Sequence, residues 1–260
     1  MSPRLDVLDD AAAVAHRFAR TVADEIAVNN RAGAPTRLIM PVGPTAQYPL
    51  LAEICAAEGI SWANVFVVTM DEYLDWQGRP IPGSSPLSFR GFFTRFLASL
   101  DPRLAPPPEQ YVSPDPFDID RVDRFVAAIG GIDTCYGGIG VHGHVAFNEP
   151  PISRFTRISD DEFAGSRTRV VALAPETIVM NATRAAGGAL HDFPPMAVTI
   201  GMADILAARR IRLFCDGGRW QQEALHRAVH GPVESAYPVT LLHRHPDVLI
   251  TADRATAAAM

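Results

Sequence analysis

The chain of 260 residues contains no lysine, and all 23 of its Lys and Arg positions are arginine. With no primary amine on any side chain, Schiff-base catalysis and a P-loop lysine are both excluded. Arginine still grips a phosphate or carboxylate through its planar fork, so an anionic substrate stays open. Cysteine is scarce as well: Cys55, Cys135 and Cys215 are isolated, form no zinc or redox spacing, and two of them lie in apolar runs where a free thiol behaves as a small core residue. No apolar run approaches the length that spans a bilayer, and the first residues lack the basic and apolar blocks of a signal peptide. The expected compartment is therefore a reducing cytoplasm, with no membrane as partner. The formal charge of −6 and the lack of any basic run speak against nucleic acid and against an anionic membrane surface.

What is present is enough apolar material, 48% of the residues, for one sizeable core, and no long linker divides it. Residues 1–260 are expected to form a single domain. Apolar positions at helical spacing (Ala13, Val14, Phe18, Val22, Ile26) predict a helix over 9–29, and similar patterns predict helices over 46–59, 88–100, 118–128, 177–186, 203–208 and 219–230. Short apolar runs at 37–41, 65–69, 132–136, 197–200, 211–215 and 248–251 read as buried strands. The proline-rich stretch 101–116 reads as a connection. The alternation predicts an α/β fold, a Rossmann-like three-layer sandwich with a mostly parallel central sheet and helices on both faces.

The stretch Gly137-Gly138-Ile139-Gly140-Val141-His142-Gly143-His144-Val145-Ala146-Phe147-Asn148-Glu149-Pro150 directly follows one of these strands. Its glycines let the backbone turn sharply and lie against a ligand, and two imidazoles and a carboxylate follow within a few residues. Open parallel sheets place ligands at the carboxyl ends of their strands, so this composition in this position points to acid/base chemistry. Asp71 and Glu72 stand together at the end of another predicted strand, a second carboxylate pair beyond what solubility requires.

Gly-Ile-Gly-x-x-Gly-His-x-Ala-Phe-Asn-Glu-Pro resembles the signature loop of the glucosamine-6-phosphate deaminases, a branch of the sugar-phosphate isomerase and 6-phosphogluconolactonase superfamily. Segments 40–46, 70–74, 166–169 and 197–202 match the same family in the same order, so the resemblance runs from about Thr36 to Thr251. Met-Asp-Glu-Tyr together with Phe-Asn-Glu-Pro marks the deaminase branch rather than the lactonases. The resemblance implies aldose–ketose isomerisation with deamination of an amino sugar phosphate, glucosamine 6-phosphate or a close analogue, with no cofactor. It makes Asp71 the base that takes the C2 proton, and His144 with Glu149 the ring-opening pair in which the carboxylate orients the imidazole. Gly43 and Thr45, in the first strand-to-helix turn, match its phosphate cradle, and Glu72 and Gly138 fall within its substrate-binding motifs. Arg184 lies one residue from its phosphate-binding arginine. The position of its phosphate-binding lysine falls on Gln221, or on Arg219 after a two-residue shift. Its members range from monomers to hexamers, so a homo-oligomer stays open.

The chain also departs from that pattern. Pro44 replaces a glycine of the cradle and removes an N–H. Arg169 matches a residue of the effector site of bacterial deaminases, but Val171 stands where a second basic residue belongs. The 16 residues between Glu149 and Ser166 exceed the usual link and suggest either a flap over the site or an altered allosteric region of the bacterial deaminases. His142 stands where the family has aspartate, beside the ring-opening histidine. Three readings follow. His142 takes the place of the aspartate in proton transfer. Alternatively, His142 and His144 are metal ligands completed by Glu149, Asp71 or Glu72, serving a metal-assisted isomerase or a lactonase-type hydrolase acting on a related acidic sugar. The third reading is a sugar-phosphate sensor without turnover.

Overall fold

The computed structural model describes residues 2–151 and 155–258. Their strands run in chain order as β1 (Arg4–Leu8), β2 (Thr36–Met40), β3 (Val65–Thr69), β4 (Asp71–Leu74), β5 (Tyr111–Val112), β6 (Thr134–Gly137), β7 (Arg169–Ala172), β8 (Met196–Thr199), β9 (Arg210–Cys215) and β10 (Val248–Asp253). The helices are α1 (Ala11–Arg31), α2 (Gln47–Glu58), α3 (Phe89–Ser99), α4 (Arg121–Ile129), α5 (Asp160–Ala164), α6 (Pro175–Ala185), α7 (Met202–Leu206), α8 (Gln222–His230) and α9 (Arg254–Ala257). Seven strands form one sheet in the order β1-β10-β9-β6-β2-β3-β5, and every pairing in it is parallel. The expected mostly parallel α/β sheet is the one observed.

Side chains alternate across a strand, and the core divides accordingly. Leu38, Met40, Tyr136 and Phe214 pack on one face with Val14, Phe18, Val22 and Ile26 of α1 and Leu51 and Cys55 of α2. Ile39, Cys135, Leu213, Cys215 and Ile250 point the other way, against Val122 of α4, Ile205 of α7 and Leu225 of α8. Helix α1 is held at its start by Asp10, whose side chain accepts from Ala13 N at 2.8 Å, and its apolar stripe seals the middle of the sheet. There the Phe18 ring stacks on Phe214 with centroids 4.0 Å apart and on Tyr136 at 5.5 Å.

Several elements differ from the sequence expectation. The edge strands β1 and β5 were not expected: β1 is half exposed and gains its partner from β10 at the far end of the chain, and β5 is two residues within the proline-rich connection. The strand expected at 197–200 leaves the main sheet. It forms β8, the centre of a second, antiparallel sheet between β4 and β7. The helix expected from 219 opens as a 3-10 turn, Gly218–Gln221, and becomes α-helical only at Gln222.

Phe18→Ala removes the ring that joins α1 to β6 and β9, and equilibrium denaturation is expected to register a loss of about 3–5 kcal/mol.

Candidate active site

Chain continuation from β2 runs outward to β3 and β5 on one side, and from β6 outward to β9 and β10 on the other. Between β2 and β6 the loops at the carboxyl ends diverge, which is where an open α/β sheet leaves its crevice. A cleft of about 610 Å³ occupies this place. Its walls come from the turn after β2 (Val42 to Ala46), the start of β4 (Asp71), the loop after β6 (Gly138 to Val141, His144), helix α6 (Thr177, Asn181, Arg184) and the loop after β9 (Asp216, Trp220).

Asp71 and Glu72 are adjacent in sequence and divide their work because a strand sends them to opposite sides. Asp71 lines the cleft and is buried. Desolvation pushes its carboxyl well above the ordinary range, and the charge of Glu72 adds to the shift. Glu72 does not line the cleft. Its Oε1 accepts from Tyr73 N at 2.8 Å and Phe89 N at 3.1 Å, and its Oε2 from Ser88 Oγ at 2.7 Å and Arg90 N at 2.9 Å. The carboxylate thus satisfies the orphan donors at the start of α3, and the expectation that Glu72 contacts substrate is corrected: three of its bonds go to the helix end and the fourth to its neighbour Tyr73.

The glycine-rich loop is shaped by contacts that only glycine permits. Gly143 has φ +78°, and a methyl group on it would strike the Tyr237 ring at 2.3 Å. A methyl group on Gly140 would fall 1.9 Å from His144 Nε2, so the imidazole lies directly on the Gly140 backbone. Asn148 is fully buried; its Nδ2 donates to Val145 O and Ile200 O, both at 3.0 Å, and its Oδ1 accepts from Arg169 Nη1 at 2.8 Å. Phe147 N donates to Thr199 Oγ1 at 3.0 Å.

His144 Nδ1 lies 3.2 Å from His142 Nδ1, and His142 Nε2 lies 3.4 Å from Thr177 Oγ1. Burial drives the His144 imidazole down to about 3, and His142 pushes the same way. His144 is therefore neutral. Glu149 was expected to orient His144, yet the hydrogen-bonding neighbour of His144 is His142. Glu149 Oε2 accepts from Ala174 N at 2.6 Å, because the carboxylate sits at the start of α6, while its Oε1 is buried without a partner. His142 and Glu149 stand behind His144, outside the cleft lining, and donor atoms of all three lie within 4.8 Å of one another. Among the described residues this is the one cluster of three such side chains able to hold a metal.

At the far end of the cleft Gly43, Thr45 and Gly138 are in the lining, next to the start of α2, where Tyr48 N donates to Thr45 O at 3.1 Å and Pro49 has no N–H, so the open donors of that helix end lie before Tyr48. The room for Gly138 is narrow, since a methyl group there would meet Pro44 Cδ at 3.2 Å and Gly43 O at 3.3 Å. Arg184 is the basic residue of the lining, its guanidinium 4.8 Å from the Trp220 ring centroid. Arg219 is exposed and absent from the lining, which corrects its expected substrate role: in the tight 3-10 turn Trp220 and Gln221 turn inward and Arg219 turns out. Gln221, at the position of the expected lysine, spends its amide within the protein, Nε2 on Ile139 O at 2.6 Å and Oε1 on Gly217 N at 2.9 Å.

Sequence reasoning missed Thr177, Asn181, Asp216 and Trp220. Asp216 carried a signal, since it directly follows the strand expected at 211–215. The two α6 residues carried none, because helical spacing alone does not say which face meets a cleft.

The segment expected as a flap does not cover the cleft in its described part. Phe163 of α5 is buried in the core, and Ile158 and Glu162 line a second cavity of about 560 Å³ with Glu149 and Arg169; residues 152–154 lie outside the described residues. The guanidinium of Arg169, matched to an effector site in sequence, is engaged with Asn148.

The chain is similar to the glucosamine-6-phosphate deaminase of Parabacteroides distasonis, 31% identical over 239 residues that make up 89% of this chain and 82% of that one. It is 33% identical to the enzyme of the same name from Beutenbergia cavernae, over 83% of this chain and 77% of the relative. No family model matches. Among solved structures, a monomeric glucosamine-6-phosphate deaminase superposes with a TM-score of 0.83 at 25% identity, over 99% of this chain and 100% of that one. A 6-phosphogluconolactonase from Trypanosoma brucei superposes at 0.68 with 14% identity, a likeness of fold alone.

Gly140→Ala is expected to displace the His144 ring and lower kcat by about 100-fold while the melting temperature changes little. Glu72→Ala is expected to do the reverse, losing about 2 kcal/mol or more of stability in denaturant titration through the uncapped start of α3.

Proposed function

The chain belongs to the glucosamine-6-phosphate deaminase family, and from that premise we propose that it converts glucosamine 6-phosphate to the ketose 6-phosphate and ammonia. The observation that carries this reading is the meeting, across one cleft, of a buried carboxyl on β4 and a neutral imidazole on the loop after β6. An aldose–ketose isomerisation needs such a pair: one group opens the ring, and another moves a proton between C2 and C1.

The hydrogen bonds behind His144 supply its tautomer. In this reading His142 Nε2–H donates to Thr177 Oγ1, and His142 Nδ1, left with a lone pair, accepts the Nδ1–H of His144. His144 Nε2, lying over the cleft-lining Gly140, is then free of hydrogen; it takes the proton of the anomeric hydroxyl and passes it to the ring oxygen as the bond from C1 to that oxygen breaks. His142 thus takes the orienting place that aspartate has in the resembling enzymes. Asp71 next removes the proton from C2, giving an enolamine. Return of that proton to C1 forms the ketimine, water adds at C2, and ammonia leaves. A desolvated carboxyl of raised pKa is a stronger base toward a carbon acid than an exposed one, which is the use of burying Asp71. Arg184, Thr45 and the start of α2 receive the phosphate. The reaction needs no cofactor. A reducing cytoplasm as the place of action is supported by the three buried, unpaired thiols, and no helix among the described residues is long and apolar enough to cross a membrane.

Ammonia release coupled to ketose formation tests the reading, and Asp71→Asn decides the role of the base. Turnover is expected to vanish with binding of a substrate analogue retained; full activity in that variant would exclude the mechanism. Because the folded state holds Asp71 in its protonated form to a higher pH than the unfolded chain, its contribution to stability declines as pH rises from the usual carboxylate range through the raised value. Asp71→Asn is therefore expected to melt at a higher temperature than the parent at neutral pH. By the same sign, the acid limb of kcat/KM is expected above the range of an exposed aspartate.

A further inference from the structure

The cluster behind His144 has a property that the proton-transfer scheme leaves unused. We propose that His142, His144 and Glu149 form a binding site for one divalent transition-metal ion, and that its occupancy switches the deaminase off. The inference rests on the reading of His144 as the ring-opening base.

The geometry is that of ligands as much as that of a hydrogen bond. Two imidazole nitrogens bound to one tetrahedral zinc at about 2.0–2.1 Å stand about 3.3 Å apart. His142 Nδ1 and His144 Nδ1 are separated by 3.2 Å, and donor atoms of all three side chains fall within 4.8 Å of one another. Glu149 supplies a free ligand atom: Oε2 is held by Ala174 N, whereas Oε1 is buried with no partner. A buried carboxylate oxygen without a hydrogen-bond partner is costly, and a cation offsets that cost. Thr177 Oγ1 at His142 Nε2 is the outer hydrogen-bond partner that a ligating histidine needs on its second nitrogen. Two nitrogens and one carboxylate oxygen favour zinc, copper or nickel over magnesium or calcium.

The switch follows from the hydrogen count. Catalysis uses His144 with hydrogen on Nδ1 and a lone pair on Nε2. A cation bound at Nδ1 takes that lone pair instead, so the single hydrogen of the neutral ring resides on Nε2, toward the cleft. In that tautomer His144 can donate but cannot accept the proton of the anomeric hydroxyl. The cation does not need to touch substrate to inhibit.

A built-in comparison exists on α8, where the His226 and His230 rings lie with centroids 5.1 Å apart at an interplanar angle of 52° but belong, among the described residues, to no three-residue cluster. The experiment uses the full chain stripped with EDTA. Turnover of glucosamine 6-phosphate is measured first without metal, and zinc chloride is then titrated by calorimetry and against activity. The expected result is one zinc per chain at micromolar affinity or tighter, with ammonia release falling at least about ten-fold and returning on chelation. His142→Asn and Glu149→Gln are each expected to weaken zinc binding by at least about ten-fold, and His226→Ala to leave it unchanged. Should His142→Asn lose its circular-dichroism signature of folding, cobalt added to the parent protein replaces it as the readout, with the visible bands of a tetrahedral nitrogen and oxygen site expected. Absence of zinc binding, or binding lost in His226→Ala but kept in His142→Asn, would overturn the site. Zinc bound there with turnover unchanged would overturn the switch. An inactive metal-free enzyme would instead count against the deaminase reading, while the calorimetry would still decide the cation site.

Discussion

The two groups proposed to transfer protons stand on different sheets, and the seam between those sheets is what the site depends on. Asp71 begins β4 in the antiparallel sheet, whereas His144 follows β6 in the parallel one. Asn148 spans the two with a fully buried amide, donating to Val145 O in the His144 loop and to Ile200 O just past β8. Phe147 N on Thr199 Oγ1 and Ile200 N on Met70 O at 2.8 Å close the same seam. Buried hydrogen bonds of this kind leave no cheap alternative partner, since water is excluded, and so they hold a spacing as well as contribute stability.

Around that seam the charges are few and placed by burial. Among the described residues the cleft has one guanidinium, Arg184 on Trp220, and two carboxyls, Asp71 and Asp216, the latter raised by desolvation and partly opposed by Arg184. With no lysine in the chain, Gln221 spends its amide on Ile139 O and Gly217 N, and Pro44 offers no N–H. His144 has an imidazole, His142, and no carboxylate at its Nδ1, so its desolvation goes uncompensated and the ring stays neutral.

Much of this was legible before any coordinates. The strands of the central sheet are short apolar runs whose alternate residues face two helical layers, and period is a local property. The glycine-rich stretch with His142, His144 and Glu149, and the carboxyl of Asp71, were visible because the chemistry is concentrated in two contiguous motifs. Other features were misread where the outcome depended on a partner far away in the chain. β1 is a strand only because β10 lies beside it, and β7 only because β8 does.

The amino-acid order alone settled which groups the protein owns: the α/β alternation, a turn that only glycine can make at Gly143, an acid, two imidazoles, and a chain without lysine. It could not settle how those groups are shared out. Glu72 and Asp71 look alike in sequence, yet one is consumed by the start of α3 and the other left to face the cleft. His144 sits close to Glu149 along the chain, yet it pairs with His142, whose far nitrogen meets Thr177 on α6. Arg184 enters the cleft and Arg219 does not. In each case the deciding quantity is the competition of a few donors and acceptors for one another in a desolvated space, and that competition exists only once distant segments have been packed together.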